Sequence, residues 1–266
     1  MSLIKDCISE NEIRKNLNSN LKLSFKIFDT IDSTNTAAKK YAVDGAEEGL
    51  VVISSHQTSG RGRMGRRFSS PDNTGIYMSI LLKPQINPEN TVLITTSAAV
   101  AVSKAIEKLS GKKTDIKWVN DILIASKKVC GILTEGQINP SGKGIDFAIL
   151  GIGINVYPPE EGFDEEIKDI AGYVFENHEQ NLKSKLIAEI LNNFSYYYKN
   201  LLEKEYYEYY KSRCFVIGKE VFVLKNGEIE TEGTILDLDK DFRLFIKLKN
   251  GGEKYISSGE ISVKIK

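Results

Sequence analysis

Cysteine and histidine are scarce in this chain, and their scarcity excludes several kinds of site. The three cysteines (Cys7, Cys130 and Cys214) are far apart and form no C-x-x-C pair, so neither a disulfide framework nor a zinc site is indicated. Such cysteine usage is typical of a reducing cytoplasm, which is the expected compartment. His56 and His178 are the only histidines. A histidine-rich metal centre is therefore excluded, and a Ser-His-Asp triad would have to use one of these two.

An excess of charge of one sign and long apolar runs are also missing. Lysine plus arginine and aspartate plus glutamate both number 36, so the formal net charge is zero. This balance argues against a protein that coats nucleic acid, although it allows a local basic site. No window contains the roughly 18 to 20 apolar residues that a membrane span needs. Residues 1–6 lack the basic start of a signal peptide, so we expect neither a leader nor a membrane partner.

Alternating and helical patterns predict an α+β arrangement for most of the chain. A short helix and linker are expected over residues 1–20, where Ser9-x-x-Glu12 fits a capping box. Apolar residues recur at three- and four-residue spacing over 89–110 and over 181–204, which predicts two long helices. Apolar runs predict strands at 21–27, 49–54, 76–82, 115–118, 122–125, 128–135 and 147–155.

The pattern changes after Arg213. Five short β runs follow, and Asn226-Gly227 and Asn250-Gly251 are hairpin signals. Five strands in about 50 residues favour a small barrel. We therefore predict three parts, which are the helix and linker at 1–20, a main domain at 21–213 and a small β domain at 214–266.

A glycine- and arginine-rich stretch at Gly60–Arg67 is the densest unusual feature. It holds four arginines and three glycines in eight residues of an otherwise neutral chain. Like charges this close repel, by about 1 kcal/mol per pair even in water, so an anion between them would be stabilising. Glycine allows backbone N–H groups to approach the oxygens of a phosphate or carboxylate. The stretch predicts a mobile anion-binding loop, with a solvated surface loop as the alternative.

Three later segments also carry candidate residues. Lys117–Asp121 contains the only tryptophan beside Asn120 and Asp121, whose oxygens suit Mg²⁺ bound to a nucleotide or, alternatively, an Asx turn. Lys128 begins an apolar strand, where its ammonium faces either a carboxylate or water. Gly151-x-Gly153 lies within a strand and indicates either close approach by a ligand or a bulge.

The order of these motifs closely resembles the biotin protein ligase family. The resemblance covers about residues 23–156, extends weakly to Gly218-Lys219 and Gly259-Glu260, and departs from the family at Val119, where proline is usual. That change affects the backbone shape of the loop more than its chemistry. The motifs are Ser33-Thr34-Asn35, Gln57-x-x-Gly60-Arg61-Gly62-Arg63, Lys117-Trp118-x-Asn120-Asp121, Lys128-x-x-Gly131-Ile132-Leu133 and Gly151-x-Gly153-x-Asn155.

This resemblance implies a fold and an activity. The expected fold is a class II synthetase-like domain, with a mixed, mostly antiparallel sheet packed with helices, plus a small SH3-like β-barrel. The expected enzyme activates biotin with Mg-ATP to biotinyl-5′-AMP and transfers biotin to a lysine of a carboxylase's biotin carboxyl carrier domain. A monofunctional type without the N-terminal DNA-binding domain is expected, because only 20 residues precede the first predicted strand. No DNA partner is expected, and the chain is either a monomer or a homodimer.

The resemblance also assigns roles to individual residues. Arg63 and Lys128 are expected to be catalytic, as the cations beside the biotin carboxylate and the α-phosphate, and Asp121 to bind Mg²⁺ with the ATP phosphates. Expected ATP-binding residues are Arg63, Arg66, Asn120, Asp121 and Asn155. Expected biotin-binding residues are Ser33, Thr34, Asn35, Gln57, Gly60, Arg61, Arg63, Trp118, Lys128, Gly131 and Gly153.

Two other functions compete with this interpretation. A lipoate- or octanoate-protein ligase of the same superfamily would need a long apolar slot, whereas Gln57 with Arg61 and Arg63 favours the polar biotin. An RNA-binding module using the Gly/Arg loop would be expected to be basic, with aromatics on a sheet face, and the zero net charge counts against it.

Overall fold

A seven-stranded sheet forms the centre of the main part of the molecule. The computed structural model describes residues 6–139, 144–225, 227–258 and 261–265. The strands are β1 (Ser24–Ile31), β2 (Leu50–Gln57), β3 (Gly75–Leu82), β4 (Asp115–Lys117), β5 (Asp121–Ile124), β6 (Lys127–Ile138) and β7 (Ile145–Asn155). Their spatial order is β1-β2-β3-β7-β6-β5-β4. The β1–β2 pair is parallel and the other ladders of this sheet are antiparallel, so the predicted mixed α+β class is confirmed.

Helices cover both faces of this sheet. They are α1 (Glu10–Asn16), α2 (Thr34–Val43), α3 (Thr91–Ser110), α4 (Leu182–Lys199) and α5 (Tyr207–Arg213). Because side chains alternate along a strand, Val51 and Ile53 join the larger core with α3 and α4. Leu50 and Val52 join a smaller core with Ala38 of α2 on the opposite face. Burial on both faces explains why β3 is buried at every position and reads as a continuous apolar run.

Two of the local predictions need correction. Ser9 precedes α1, but its side chain makes no capping hydrogen bond; its backbone N–H donates instead to Ser184 Oγ, 3.0 Å away. The second long helix ends at Lys199 rather than at residue 204. Lys204 has a left-handed backbone (φ 54°), so the chain turns there and starts α5, which the pattern did not predict.

The C-terminal part is a second, all-antiparallel sheet. Its strands are β8 (Glu220–Lys225), β9 (Glu228–Leu238), β10 (Leu244–Leu248), β11 (Glu253–Ile256) and β12 (Ile261–Ile265), in the spatial order β11-β10-β9-β8-β12. The five predicted strands are therefore present, while closure into a barrel stays a prediction. Asn226, Gly259 and Glu260, used in the sequence analysis, lie outside the described residues. The division into domains at 20 and 213 also stays a prediction.

Candidate active site

One cleft opens beside strands β6 and β7. The turn before α2, the end of β2 and the loop at 61–68 form its other walls. The structure brings Gln57, Arg63 and Lys128 together in this cleft. Ten predicted site residues line it, which are Ser33, Thr34, Asn35, Gln57, Arg61, Arg63, Asn120, Lys128, Gly131 and Gly153.

A buried network of neutral polar groups forms one end of the cleft. Gln57 Oε1 accepts from the backbone N–H of Thr34 at 2.9 Å and lies 3.2 Å from Thr34 Oγ1. Gln57 Nε2 donates to Ser70 Oγ at 3.0 Å. Thr34 is held there because Ser33 caps α2, accepting from the N–H of Thr36. These amide and hydroxyl groups can bind a polar, uncharged ring, because such a ring is costly to bury without matched hydrogen bonds.

Asn35 and Arg61 meet on Glu135, which the sequence analysis did not select. Asn35 Nδ2 donates to Glu135 Oε2 at 2.7 Å, and Arg61 pairs with Glu135 Oε1 at 2.9 Å. A Cβ at Gly151 would lie 2.1 Å from Asn35 Oδ1, so only glycine admits the asparagine here. Glu135 therefore fixes one side of the Gly/Arg loop to β6. A charged residue within a predicted strand is the sequence feature that could have pointed to Glu135 as a site residue.

Charged groups gather at the other end of the cleft. Lys128 Nζ lies 2.7 Å from Asp121 Oδ1, and Arg63 Nη1 donates to Asn120 Oδ1 at 3.1 Å. Asn120 Nδ2 in turn donates to Asp121 Oδ1 and to the carbonyl of Ile132. Asn120 thus positions Arg63, and Asp121 positions Lys128.

Cations outnumber the carboxylate at this end. Burial lowers the pKa of Arg63, Asp121 raises it, and the neighbouring Arg66 lowers it again. Burial also lowers the pKa of Lys117, and Lys128 and Arg66 push it in the same direction while Asp121 opposes them. Positive groups crowded and partly desolvated in this way favour an anion in the cleft. Lys117 belongs to the motif Lys117-Trp118-x-Asn120-Asp121, although the resemblance assigned it no role in binding or catalysis.

Two glycines face each other at the bottom of the cleft. Gly131 and Gly153 are direct partners in the β6–β7 ladder. A Cβ at Gly131 would lie 3.0 Å from the Phe68 ring, and one at Gly153 would lie 2.7 Å from it. Lys128 Nζ is 5.8 Å from the centre of the same ring. The side chain of Phe68 thus occupies the space over these glycines, and their role in leaving room for a ligand stays a prediction.

Five predicted residues do not line the cleft. Trp118 is 4% exposed and its Nε1 donates to the carbonyl of Phe242 at 2.8 Å. The indole therefore packs in the core, and the expected contact of Trp118 with a ligand stays a prediction. Asn155 Nδ2 donates to the carbonyl of Gly172. A Cβ at Gly60 would lie 2.4 Å from the Phe68 carbonyl, so this glycine permits a close chain crossing. Asp121 pairs with Lys128, and Arg66 lowers the pKa of Arg63 and of Lys117.

Metal and membrane features are limited in the described residues. Within the described ranges, no group of three or more histidine, cysteine, aspartate or glutamate side chains could hold a metal ion. The helices of the described part are too short or too polar to cross a membrane. All three cysteines are free thiols, Cys7 exposed and the other two buried. The expected role of Asp121 as a ligand of an ion that arrives with a nucleotide stays a prediction.

Two family models match the chain over these elements. The biotin/lipoate A/B protein ligase family matches residues 27–155, which contain the whole cleft, and the biotin protein ligase C-terminal domain matches residues 216–264. The chain belongs to the biotin protein ligase family. The Gly/Arg loop at residues 60–67 lies within the segment that matches the ligase family.

Relatives of this family agree with the match. The chain is 45% identical over 165 residues to the bifunctional ligase/repressor BirA of Bacillus spizizenii, which is 62% of this chain and 50% of that protein. The chain thus spans about half the length of this relative. It is 28% identical to the biotin--[acetyl-CoA-carboxylase] ligase of Mycobacterium tuberculosis, over 86% of this chain and 85% of the relative. A structure of the Aquifex aeolicus biotin protein ligase in complex with biotin and ATP superimposes with a TM-score of 0.75 at 29% identity, covering 92% of this chain and 100% of that one.

Proposed function

We propose that this protein activates biotin with ATP, forming biotinyl-5′-AMP and pyrophosphate, and then transfers the biotinyl group to a lysine of a biotin carboxyl carrier domain. The observation that carries the proposal is that one cleft joins a neutral polar network at Thr34 and Gln57 to a cationic group at Arg63 and Lys128. Biotin has this same division, with a neutral ureido ring at one end and a carboxylate at the other. The similarity of the chain to proteins named biotin ligases in other organisms supports the assignment.

The polar end accounts for selection of the ring. The Gln57 amide and the Thr34 and Ser70 hydroxyls are already mutually hydrogen-bonded, so their orientation is set before a ligand binds. Arg61 and Asn35, held by Glu135, border the same region. A lipoyl chain offers no ureido group to this network, so on binding it the remaining donor and acceptor sites would lose their hydrogen bonds to water without replacement.

The cationic end accounts for the first reaction. Bringing a carboxylate to a phosphate costs about 4 kcal/mol for unit charges at 4 Å with an effective dielectric near 20. Arg63 and Lys128 offset this repulsion and orient the reactants. A biotin carboxylate oxygen then bonds to the α-phosphorus of ATP, the bond from that phosphorus to the bridging oxygen breaks, and pyrophosphate leaves with the electron pair.

Magnesium fits the groups at this end. Mg²⁺ in nucleotide sites keeps several waters and takes one or two protein carboxylates together with phosphate oxygens. Asp121, with the adjacent Asn120 amide, supplies that ligand type in the described residues. When bound, the ion would screen the phosphate charges and favour the departure of pyrophosphate. The cations around Asp121 suit the rest of the triphosphate.

The second reaction consumes the adenylate. The acceptor lysine, as a neutral amine, attacks the acyl carbon; its nitrogen loses a proton, and AMP leaves. Water competes for the same carbon, and the loop at 60–67 would exclude it by covering the adenylate. The acceptor is a carrier domain of acetyl-CoA carboxylase or a related enzyme, and the ligase acts as a monomer or homodimer. The free thiols favour the cytoplasm as the compartment.

Pyrophosphate exchange tests the proposal without an acceptor. The purified chain with Mg-ATP and labelled pyrophosphate should exchange label into ATP when biotin is added, and far less with lipoate or octanoate. Exchange that is equal or faster with lipoate would indicate a lipoate-protein ligase instead of a biotin ligase. No exchange with any of the acids would overturn acid activation altogether.

A further inference from the structure

A turn of the C-terminal sheet inserts an aromatic side chain into the main part of the molecule. Phe242 lies between β9 and β10 and is 1% exposed. Its ring stacks on Tyr206 with centroids 5.5 Å apart and contacts Tyr210 edge-on at 5.1 Å. Tyr207 makes a second edge contact at 5.7 Å. The ring therefore fills a socket built by α5 and the residue before it.

The backbone of this turn is held in a conformation that phenylalanine rarely adopts. Phe242 has φ 58°, in the left-handed region where bulky side chains are outliers. Asp239 fixes the turn, since its carboxylate accepts from the backbone N–H groups of Asp241 and Arg243. Lys204 adds an ion pair to Asp241 at 2.8 Å. Asp239 within the turn and Lys204 from the main part of the molecule thus both hold this turn in place.

The socket contacts the segment that precedes the charged end of the cleft. Trp118 Nε1 donates to the carbonyl of Phe242 at 2.8 Å, and Tyr210 Oη donates to the carbonyl of Val119 at 3.1 Å. The next two residues are Asn120 and Asp121, which hold Arg63 and Lys128. Burial raises the pKa of the Tyr210 hydroxyl well above its usual range, so it remains a donor. Arg63 and Asp121 also act electrostatically on this hydroxyl.

We propose that Phe242 and Tyr210 form a brace through which the C-terminal sheet positions Asn120 and Asp121 for the nucleotide. Both are positioning residues, since they reach the cleft through the backbone at 118–119. The inference rests on the proposed function for the identity of the nucleotide. It makes the affinity for Mg-ATP, more than that for biotin, depend on the C-terminal sheet, because the Thr34 and Gln57 network lies at the other end of the cleft.

Three tyrosines in the socket provide a matched set of variants. Each packs on Phe242 and donates its hydroxyl to a backbone carbonyl, namely that of Leu93 for Tyr206, Leu238 for Tyr207 and Val119 for Tyr210. Each Tyr→Phe change removes one buried hydrogen bond and keeps the ring. A purely structural role predicts the same consequence for all three. A brace predicts that Tyr210→Phe differs.

Steady-state exchange kinetics provide the first readout. We expect Tyr210→Phe to raise the KM for Mg-ATP about tenfold, the loss typical of a positioning hydrogen bond, and to change the KM for biotin less than about twofold. Tyr206→Phe and Tyr207→Phe should leave both values within about twofold of the parent. The brace is contradicted if Tyr210→Phe matches these two variants, or if it raises both KM values together.

Equilibrium binding provides a second readout that needs no turnover. Trp118 is the only tryptophan, so its emission reports on this segment. In the parent, Mg-ATP should alter that emission, and the midpoint should move about tenfold higher in Tyr210→Phe but not in Tyr206→Phe. Phe242→Leu should repeat the Tyr210 pattern, and unchanged midpoints would overturn the brace. Absence of biotin-dependent exchange in the parent would refute the proposed function instead, while the nucleotide titration still tests the brace.

Discussion

Replacing Lys128 by methionine separates the catalytic contribution of its charge from its contribution to stability. The side chain is 34% exposed and its partner Asp121 is 21% exposed, at an N–O distance of 2.7 Å. A pair with this exposure contributes less than about 1 kcal/mol to folding, so the free energy of unfolding should change little. In the proposed reaction, Lys128 would face a carboxylate and a phosphate at once. Loss of one such cation typically costs about 100-fold in the rate of the chemical step.

The adjacent lysine provides the control for this prediction. Lys127 belongs to the same strand, is exposed and contacts the backbone carbonyl of Asp169 outside the cleft. Biotin-dependent pyrophosphate exchange should fall about 100-fold in Lys128→Met and stay within about twofold of the parent in Lys127→Met. Thermal unfolding of both variants confirms that they fold. Retention of more than about a third of the parent rate by Lys128→Met would refute the reasoning, because it would show that the chemical step does not depend on this ammonium.

Three further outcomes are expected. Gly153→Ala places a Cβ in the space that the Phe68 ring fills, 2.7 Å from that ring, and that the ligand is expected to take when Phe68 moves. It should therefore weaken biotin binding at least about tenfold by calorimetry. Gly136→Ala in β6, with no atom within 4 Å of its Cβ, should not, and equal affinities would contradict the role of the glycine pair. Burial lowers the pKa of His178, so the unfolded chain binds a proton at this residue before the folded chain does as the pH falls. The melting temperature should therefore drop less between pH 7 and about pH 5 in His178→Gln than in the parent. Equal drops in the melting temperature of the two proteins would contradict a role of His178 in acid destabilisation. Trypsin should cut the chain at Arg61–Arg67 more slowly when biotin and Mg-ATP are both present, and equal rates would exclude a covering role for this loop.

Local sequence was sufficient for the elements that position the cleft. The apolar spacing over 89–110 predicted α3 within two residues, and the helix ends at the left-handed Gly111. Alternating or continuous apolar runs located each strand of the main sheet. The order of short motifs located Arg63, Lys128, Gln57 and Thr34, which the fold then brings into one cleft.

Features that depend on distant contacts could not be predicted. Trp118 stands beside the charged end of the cleft in the chain, yet it points into the core because Phe242, 124 residues later, accepts its indole N–H. Glu135 becomes a site residue only when Asn35, 100 positions earlier, lies across from it. The break at Lys204, which separates α4 from α5, has a left-handed backbone that the apolar spacing does not reveal.

A crystal structure of the chain mixed with biotin and Mg-ATP tests the central claim most directly. The account predicts a biotinyl-adenylate in the cleft, with its ureido ring hydrogen-bonded near Thr34 and Gln57. Its acyl-phosphate group should lie within hydrogen-bond distance of both Arg63 and Lys128, and Phe68 should have left the glycine pair. A ligand bound in another part of the molecule, or one in this cleft that neither cation contacts, would contradict it.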